Sequence, residues 1–298
     1  MRVLNIGSIN IDHVYGVDHF VQPGETIGSS RCSIFAGGKG FNQSVALARA
    51  GTAVCHAGSV GKDGGWLLER LQQENVDTTR VTVTAVPTGH AMIQVVPSGE
   101  NAIVLYGGAN HSVSEDDVNA ALSACLPGDY LLIQNETSSV AHAIQAAHEK
   151  GLPVVFNPAP MTAAVRHYPL GCVDIFILNE TEAEELTGKV RPEDVVATMR
   201  ARYPRSATVL TRGEKGAVYF DAKAVLEQPA FAVDVVDTTA AGDTFAGYFL
   251  AKMIQTGSPG EALVHGCRAA AMCVTRAGAS DSIPRKGELE RMPLSHRA

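Results

Sequence analysis

Short β-rich runs alternate with helical patterns along the chain, and this alternation limits the fold more than any other feature. Apolar runs such as "RVLNIGSI", "DYLLIQNE" and "VDIFILNE" have the length of buried strands, and helical stretches such as "GGKGFNQSVALARAG" separate them. Strands that are apolar on both faces, with helices between them, form parallel sheets covered by helices. The sequence therefore predicts an α/β fold, a central mostly parallel sheet between two helix layers, as a single domain over residues 1–298.

Two segments, at about 12–36 and 88–106, interrupt this alternation. Each reads as a pair of strands with turn residues between them, and Ser98-Gly99-Glu100-Asn101 is the clearest hairpin tip. We expect these strands to form a small separate sheet that acts as a lid. Its exposed edge and apolar face could close over a ligand or pair with a second subunit.

Composition and charge exclude several classes of partner. The formal net charge is −7 and no long basic run occurs, which argues against binding to nucleic acid or to an anionic membrane. The apolar stretches are far shorter than the roughly 20 residues needed to span a bilayer. Six cysteines without a CxxC pair indicate buried thiols in a reducing compartment and not a disulfide framework, so we expect a cytoplasmic protein.

The string "DTTAAGDTF" at 237–245 places small residues and a carboxylate where a β-like run, "FAVDVV", leads into a helix. The amides of Ala240, Ala241 and Gly242 could approach a ligand closely, and a helix N-terminus favours an anion. A carboxylate beside a bound phosphate is repelled, so Asp243 looks misplaced at an anion site. Its presence is explained if it accepts a proton from a hydroxyl that attacks the phosphoryl group. The alternative is an aspartate that favours a helix start, with small residues for tight packing.

Polar residues follow the predicted strands at one end. They are Asn10, Asp12, Glu136, Asn157, Asn179 and Thr211. In an open parallel sheet, ligands bind beyond the carboxyl ends of the strands. These side chains therefore predict one binding rim. Their shared position is stronger evidence for a binding site than any single residue.

Two motifs on this rim suit a small polar ligand. The string "AGGKGFNQ" lacks the P-loop spacing, but its glycines allow close approach of the backbone, and Lys39 and Asn42 supply donors at a helix start. In "GSINID", Asn10 and Asp12 share a face of the chain and could bind two adjacent hydroxyls. A plain glycine turn and turn capping are the respective alternatives.

Two further motifs could contact a nucleotide. Asn179 and Glu182 lie three residues apart at a helix start, where oxygen ligands or water-mediated contacts would suit a magnesium–phosphate cluster. An ordinary acidic first helical turn is the alternative reading. The glycine-containing turn "TRGEKG" at 211–216 could carry nucleotide contacts or form a simple hairpin. No histidine is assigned a catalytic part.

Six motifs together resemble the ribokinase family of sugar kinases, the phosphofructokinase-B type. They are "GSINID", "GGKGFNQSVALARAG", "NPAP", "LNETEAEELTG", "DTTAAGDTFAGYF" and "VTRAGASDSIP", and they run in the family's order up to about Pro284. The resemblance implies a nine-stranded or similar core with a β-sheet lid, ATP and magnesium as co-substrates, and transfer of the γ-phosphoryl group to a sugar hydroxyl. It also implies a homodimer through the lids.

The resemblance carries roles to individual positions of this sequence. It implies Asp243 as the catalytic base and Ala240, Ala241 and Gly242 as the anion hole. It implies sugar contacts at Asn10, Asp12, Gly38, Lys39, Asn42 and Glu136, and nucleotide contacts at Asn179, Thr211, Gly213, Gly216, Gly242 and Cys267. It implies Glu182 as the magnesium residue and a potassium loop of Asp237, Thr239, Cys273, Arg276, Gly278 and Ser282. Cys267 departs from the family, which tends to offer a hydrogen-bonding side chain there.

The expected reaction is transfer of the γ-phosphoryl group of ATP to the 5-hydroxyl of D-ribose. Another small sugar, such as deoxyribose or a ketohexose like fructose, is the alternative within the enzyme class. Asn10 argues against deoxyribose, because its polarity would be left unpaired where a hydroxyl is missing. A non-catalytic sugar-sensing protein on the same fold is the alternative from another class.

Overall fold

The structure, a computed structural model, describes residues 1–291 and contains two β-sheets. The strands are β1 Arg2–Ile6, β2 Asn10–Gly16, β3 Arg31–Gly37, β4 Ala53–Gly61, β5 Asp77–Thr84, β6 Gly89–Val95, β7 Asn101–Tyr106, β8 Tyr130–Gln134, β9 Val154–Asn157, β10 Ile175–Asn179, β11 Ala207–Thr211, β12 Ala217–Phe220 and β13 Val225–Gln228. The helices are α1 Lys39–Arg49, α2 Gly65–Gln73, α3 Glu115–Ser123, α4 Val140–Glu149, α5 Glu180–Thr187, α6 Pro192–Arg202, α7 Ala241–Thr256, α8 Pro259–Cys273 and α9 Lys286–Arg291.

The larger sheet has nine strands in the order β13-β12-β11-β10-β9-β8-β1-β4-β5. Strand β12 is antiparallel to both of its neighbours, β11 and β13, and all other neighbouring pairs are parallel. Val3 on β1 belongs to a core with α1, α2, α7 and α8, whereas Leu4 belongs to a second core with α3 to α6. Alternate residues of a strand point to opposite faces, so helices cover both sides and the predicted three-layer α/β/α fold is confirmed.

The smaller sheet has four strands in the order β3-β2-β6-β7. Its strands lie inside the two segments predicted from the sequence. The hairpin tip is also confirmed, because β6 ends at Val95, β7 begins at Asn101, and Gly99 between them has φ +86°. Asp12 and Val14 on β2 line a cavity beneath this sheet. We call these four strands the lid sheet.

Some local predictions were wrong or incomplete. The β-like run "FAVDVV" at 231–236 forms no extended strand; Phe231 makes an isolated bridge, and Val235 and Val236 are more than 60% exposed. Pro229 lacks the amide that would extend β13, and no strand lies beyond β13 in the described residues. Strand β5, at the opposite sheet edge, was not predicted because its polar, threonine-rich sequence lacks an apolar run. Within residues 1–291 every helix is too short or too polar to cross a membrane.

Candidate active site

Helix α7 begins with its amides facing open space. Ala240 precedes it with φ +60°, a left-handed conformation that turns the chain sharply into the helix. The amide of Ala241 donates to the carbonyl of Thr238 over 3.2 Å, so it is already engaged. Among the described residues, the amides of Ala240, Gly242 and Asp243 have no backbone acceptor. A Cβ added to Gly242 would meet no atom within 4 Å, so a ligand can reach these amides. The predicted anion hole is thus partly open and partly used internally.

The carboxylate of Asp243 is held by two side-chain amides from α1. Its Oδ2 accepts a hydrogen bond from Asn42 Nδ2 over 3.0 Å, and its Oδ1 accepts one from Gln43 Nε2 over 2.9 Å. The residue is 8% exposed. Two donors from the start of α1 thus fix the orientation of this buried carboxylate. Asn42 Oδ1 is buried without a hydrogen-bond partner among the described residues.

The predicted sugar residues gather around the start of α1. Gly38 has φ +91°, and a Cβ on Gly40 would lie 2.4 Å from the amide of Ser8, so only glycine lets α1 approach the loop after β1 so closely. Glu136 accepts hydrogen bonds from the hydroxyl of Ser8 and from the amide of Lys39. This contact fixes the carboxyl end of β8 against the first turn of α1.

Charge is concentrated at this meeting point. Burial raises the pKa of Asp12 to about 7, and repulsion from Glu136 and Asp243 adds to the effect. Burial acts to lower the pKa of Lys39, but attraction from Asp243, Glu136 and Glu182 outweighs it, and the pKa lies above its ordinary value. Lys39 therefore stays cationic among carboxylates, where it can neutralise a transferring phosphoryl group.

Asn10 is oriented by a residue to which the sequence analysis gave no role. Asn110 donates from Nδ2 to Asn10 Oδ1 over 2.7 Å and accepts from the amide of Ile9 over 2.9 Å. Both asparagines are buried. Because Asn10 Oδ1 is occupied, its amide nitrogen remains as the group to offer a ligand oxygen. The string "GGAN" at 107–110 was the available signal, since two glycines before a buried amide indicate close backbone approach.

A cavity of about 440 Å³ adjoins the start of α7. Five predicted nucleotide residues border it: Thr211, Gly213, Gly216, Gly242 and Cys267. Its other lining is mostly apolar, including Phe231, Phe245 and Val274. Burial raises the pKa of the Cys267 thiol to about 12, so the thiol stays neutral and adds to the apolar wall.

Asn179 and Glu182 cap α5. Asn179 Oδ1 accepts from the amide of Glu182 over 2.8 Å, and Glu182 accepts in return from the amide and the side chain of Asn179. Asn157 also donates to Glu182, over 3.4 Å. The two side chains therefore form a reciprocal cap in the acidic first turn of α5, and Asn179 does not border the 440 Å³ cavity. Burial raises the pKa of Glu182 above its ordinary value.

Two loops meet where the potassium site was expected. Asp237 accepts hydrogen bonds from the amides of Thr239 and Gly278 over 2.9 and 3.0 Å. The thiol of Cys273 lies 3.7 Å from the carbonyl of Thr239 and 3.0 Å from Ser282 Oγ. The side chain of Arg276 pairs instead with Glu288, which leaves its backbone as the group available to the loop. A carboxylate, a hydroxyl and several carbonyls are hard oxygen donors, which fit a potassium ion.

A second cavity, of about 920 Å³, lies beneath the lid sheet. It is bordered by Asp12, by the hairpin tip at 98–101, and by the loops at 235–239 and 277–279. The lid sheet, the predicted sugar residue Asp12 and the loop where potassium was expected thus surround one space. It is large enough for a small sugar.

Comparison with known proteins gives consistent matches along the whole chain. The model of the pfkB family carbohydrate kinase matches residues 2–286. A ribokinase of Haemophilus influenzae is 41% identical over 293 residues, which cover 95% of each chain. A deoxyribokinase of Salmonella typhi is 33% identical over 297 residues, which cover 95% of this chain and 96% of that one. The structure of Arabidopsis thaliana ribokinase complexed with ribose and ATP matches with a TM-score of 0.87 at 29% identity, covering 97% of both chains.

Proposed function

The chain belongs to the pfkB family of carbohydrate kinases, and from this membership we propose that it transfers the γ-phosphoryl group of ATP to the 5-hydroxyl of D-ribose. One observation carries the proposal. The buried carboxylate of Asp243 is held by Asn42 and Gln43 beside the open amides at the start of α7. A base and an anion site are thereby adjacent, as transfer to an alcohol requires.

In the proposed reaction the sugar lies beneath the lid sheet and ATP occupies the cavity bordered by Gly242 and Cys267. The sugar oxygen bonds to the γ-phosphorus as the bond to the β,γ-bridging oxygen breaks, which releases ADP. Asp243 takes the hydroxyl proton as the new bond forms, because a carboxylate with a reference pKa near 4 cannot deprotonate a free alcohol beforehand. The open amides and Lys39 stabilise the developing charge.

Asn42 supports a hydroxylated substrate at this position. Its Oδ1 is buried with no partner among the described residues, while its Nδ2 holds Asp243. A buried acceptor without a partner costs about 1–3 kcal/mol. A sugar hydroxyl would satisfy it, and would bring that hydroxyl beside the base.

Magnesium is proposed as the partner of the ATP phosphates, near Glu182. Within residues 1–291 no three acidic, histidine or cysteine side chains group as a metal cage. This suits magnesium in kinases, which is held chiefly by phosphates and waters and neutralises phosphate charge. Glu182 would bind through water, since its own oxygens already accept from Asn179.

Potassium is proposed as an activator held by the loop of Asp237, Thr239 and Ser282. It would brace the segment that leads into α7 from behind without touching substrate. Activity should rise when potassium replaces sodium at constant ionic strength. A flat response in that titration would contradict the assignment.

The lid sheet is proposed as a homodimer surface. Ile34, His13, Met92 and Val104 are directly paired across the four strands and face away from Asp12 and the cavity. Val104 is 69% exposed and Ile34 is 57% exposed, so the row offers apolar area to a second copy. Val104→Glu should give a monomer by sedimentation, whereas Val190→Glu, equally exposed but distant on the chain, should leave the dimer intact.

The compartment is proposed as the cytoplasm, on the ground that all six cysteines are free thiols. Four of them are buried and Cys172 is half-buried, whereas Cys32 is exposed, contrary to the expectation of buried thiols. Burial raises the pKa of Cys55 and of Cys267 to about 12. Unpaired thiols are typical of a reducing compartment.

One assay separates the proposed reaction from its alternatives. Purified protein is incubated with magnesium–ATP and a panel of pentoses and hexoses, and ADP release is followed. Ribose should give the highest kcat/KM. A higher kcat/KM for deoxyribose or fructose would make that sugar the substrate instead of ribose. Sugar binding without ADP release would favour the non-catalytic sugar-sensing alternative.

A further inference from the structure

Gln43 is buried in contact with the base and bonded at every polar atom. It is 0% exposed. Its Nε2 donates to Asp243 Oδ1 over 2.9 Å and to Asn157 Oδ1 over 3.1 Å. Its Oε1 accepts from Gln134 Nε2 over 2.7 Å. Both hydrogens of the side-chain amide and its oxygen are thus engaged by other residues of the protein, and none is left to bond a ligand in the cavity.

The amide of Gln43 has one permitted orientation, because its neighbours are fixed in turn. Gln134 Nε2 also donates to Asn5 Oδ1, so Gln134 presents hydrogens and not an oxygen to Gln43. Asn5 Nδ2 is committed to the carbonyl of Gly40 and to Ser44 Oγ. A flip of Gln43 would therefore set two NH₂ groups against each other and an oxygen against the Asp243 carboxylate.

The far end of this network is a neutral histidine. Burial lowers the pKa of His56 to about 4. Its Nε2 donates to the carbonyl of Gly7, so its Nδ1 must accept from the hydroxyl of Ser44. That assignment leaves Ser44 Oγ to accept from Asn5, and the directions of the hydrogen bonds agree from His56 to Asp243.

The network also reaches the phosphate side of the site. Asn157, the second acceptor of Gln43, donates from Nδ2 to the carbonyl of Ile177 and to Glu182 Oε2. Through Asn157, the amide of Gln43 thus connects Asp243, proposed to lie beside the sugar hydroxyl, to Glu182, proposed to lie beside the phosphates.

We propose that Gln43 is a positioning residue that holds the carboxylate of Asp243 in the orientation needed for proton transfer, and that Gln134 fixes the direction of the Gln43 amide. This inference rests on the proposed function only for the role of Asp243. Gln43 does not face the cavity, so its loss should act on the chemical step and not on the binding of sugar or ATP. Residues that orient a reacting group in this way typically contribute 10- to 100-fold.

Two variants test the role. Gln43→Met keeps the length of the side chain and removes both donors; kcat should fall about 10- to 100-fold, with each KM within about twofold. Gln43→Glu keeps the shape and replaces the donor by an acceptor; it should lose at least as much turnover at pH 8. Wild-type turnover in the Glu variant would overturn the proposal.

The pH profile supplies a readout that packing alone would not move. The charged groups facing Asp243 are Asp12, Lys39, Glu136 and Glu182, and they are unchanged in Gln43→Met. Loss of a donor to the carboxylate should therefore move the acid limb of the kcat profile to higher pH. An unmoved limb would contradict the inference. Ser59→Ala, which removes a buried hydroxyl without a partner in the described residues, should match the wild-type profile.

A measurement without substrate separates this inference from the proposed reaction. The carboxyl carbon of Asp243 is followed by NMR during a pH titration of the whole protein and assigned by its absence in Asp243→Asn. Its transition should occur at higher pH in Gln43→Met than in the wild type. Identical transitions would overturn the role of Gln43 even if ribose is phosphorylated, and a shifted transition would support it even if another sugar is the substrate.

Discussion

Asn42 donates its side-chain amide to the carboxylate of Asp243 over 3.0 Å, across 201 residues of sequence. The bond joins the first turn of α1 to the first turn of α7. The two helices can approach because Gly247 lies against Ala46, where a Cβ would come within 2.4 Å of Ala46 Cβ. A glycine one turn beyond Asp243 in α7 therefore allows the sugar motif and the base to lie this close together.

Asp243→Asn should abolish turnover without unfolding the protein. The amide cannot accept the hydroxyl proton, so kcat should fall by about 10²–10⁴, whereas the melting temperature and the calorimetric affinity for ribose should stay close to the wild type. Turnover within about tenfold of the wild type would remove Asp243 from its role as base.

Gly242→Ala should impair turnover while leaving the fold intact. The added methyl group meets no protein atom within 4 Å and projects toward the 440 Å³ cavity, where the phosphates are expected. Alanine favours a helix by about 1 kcal/mol over glycine, so the melting temperature should hold or rise. We expect kcat/KM for ATP to fall at least about tenfold, which corresponds to about 1.4 kcal/mol. Normal kinetics with ATP would show that phosphate does not approach this amide.

Gly247→Ala, on the same helix, should lower the stability of the fold, in contrast to Gly242→Ala. The new methyl group would overlap Ala46 and lie 2.9 Å from the amide of Leu47. Overpacking of a helix contact costs about 1–3 kcal/mol, so chemical denaturation should show a lower midpoint. A stable variant with full turnover would mean that α1 and α7 separate without affecting the Asn42–Asp243 bond.

Asn110→Asp should weaken sugar binding through its effect on the orientation of Asn10. A carboxylate can still accept from the amide of Ile9, but it cannot donate to Asn10 Oδ1, and Asn10 would rotate its amide toward the new acceptor. We expect the KM for sugar to rise about tenfold or more, from a loss of about 1–3 kcal/mol, with the KM for ATP unchanged. Asn110→Gln is a second test of the same role. If neither Asn110→Asp nor Asn110→Gln changed the KM for sugar, the orienting role of Asn110 would be excluded.

Asp12 should make stability fall as the pH rises. Burial raises its pKa to about 7 in the folded protein, so the folded state keeps a proton that the unfolded chain releases near pH 4. Stability is lost between about pH 4 and pH 7. Asp12→Asn should therefore unfold at a higher temperature than the wild type at pH 8, with the difference shrinking toward pH 5. A constant difference across this range would contradict the raised pKa.

Much of the architecture was predictable because it depends on local pattern. Apolar runs marked the parallel strands β1, β8 and β10, and turn residues at 98–101 marked the lid hairpin. Each of these signals is contained in fewer than about ten residues. The segment at 231–236 was predicted wrongly for the complementary reason: its composition favours a strand, but a strand needs a neighbour, and β13 ends before it.

The sequence by itself determined the α/β class, the rim of polar residues at the strand ends, and the pairing of small residues with Asp243 at a helix start, because periodicity and spacing carry this information. Only the tertiary structure decided which groups bond to Asp243, that Gln43 and Asn110 orient residues of the site, and that Ala241 has already given its amide to Thr238. Hydrogen bonds between residues 100–200 positions apart leave no local pattern, since they depend on how α1, α7 and the loop after β7 pack around the same end of the sheet.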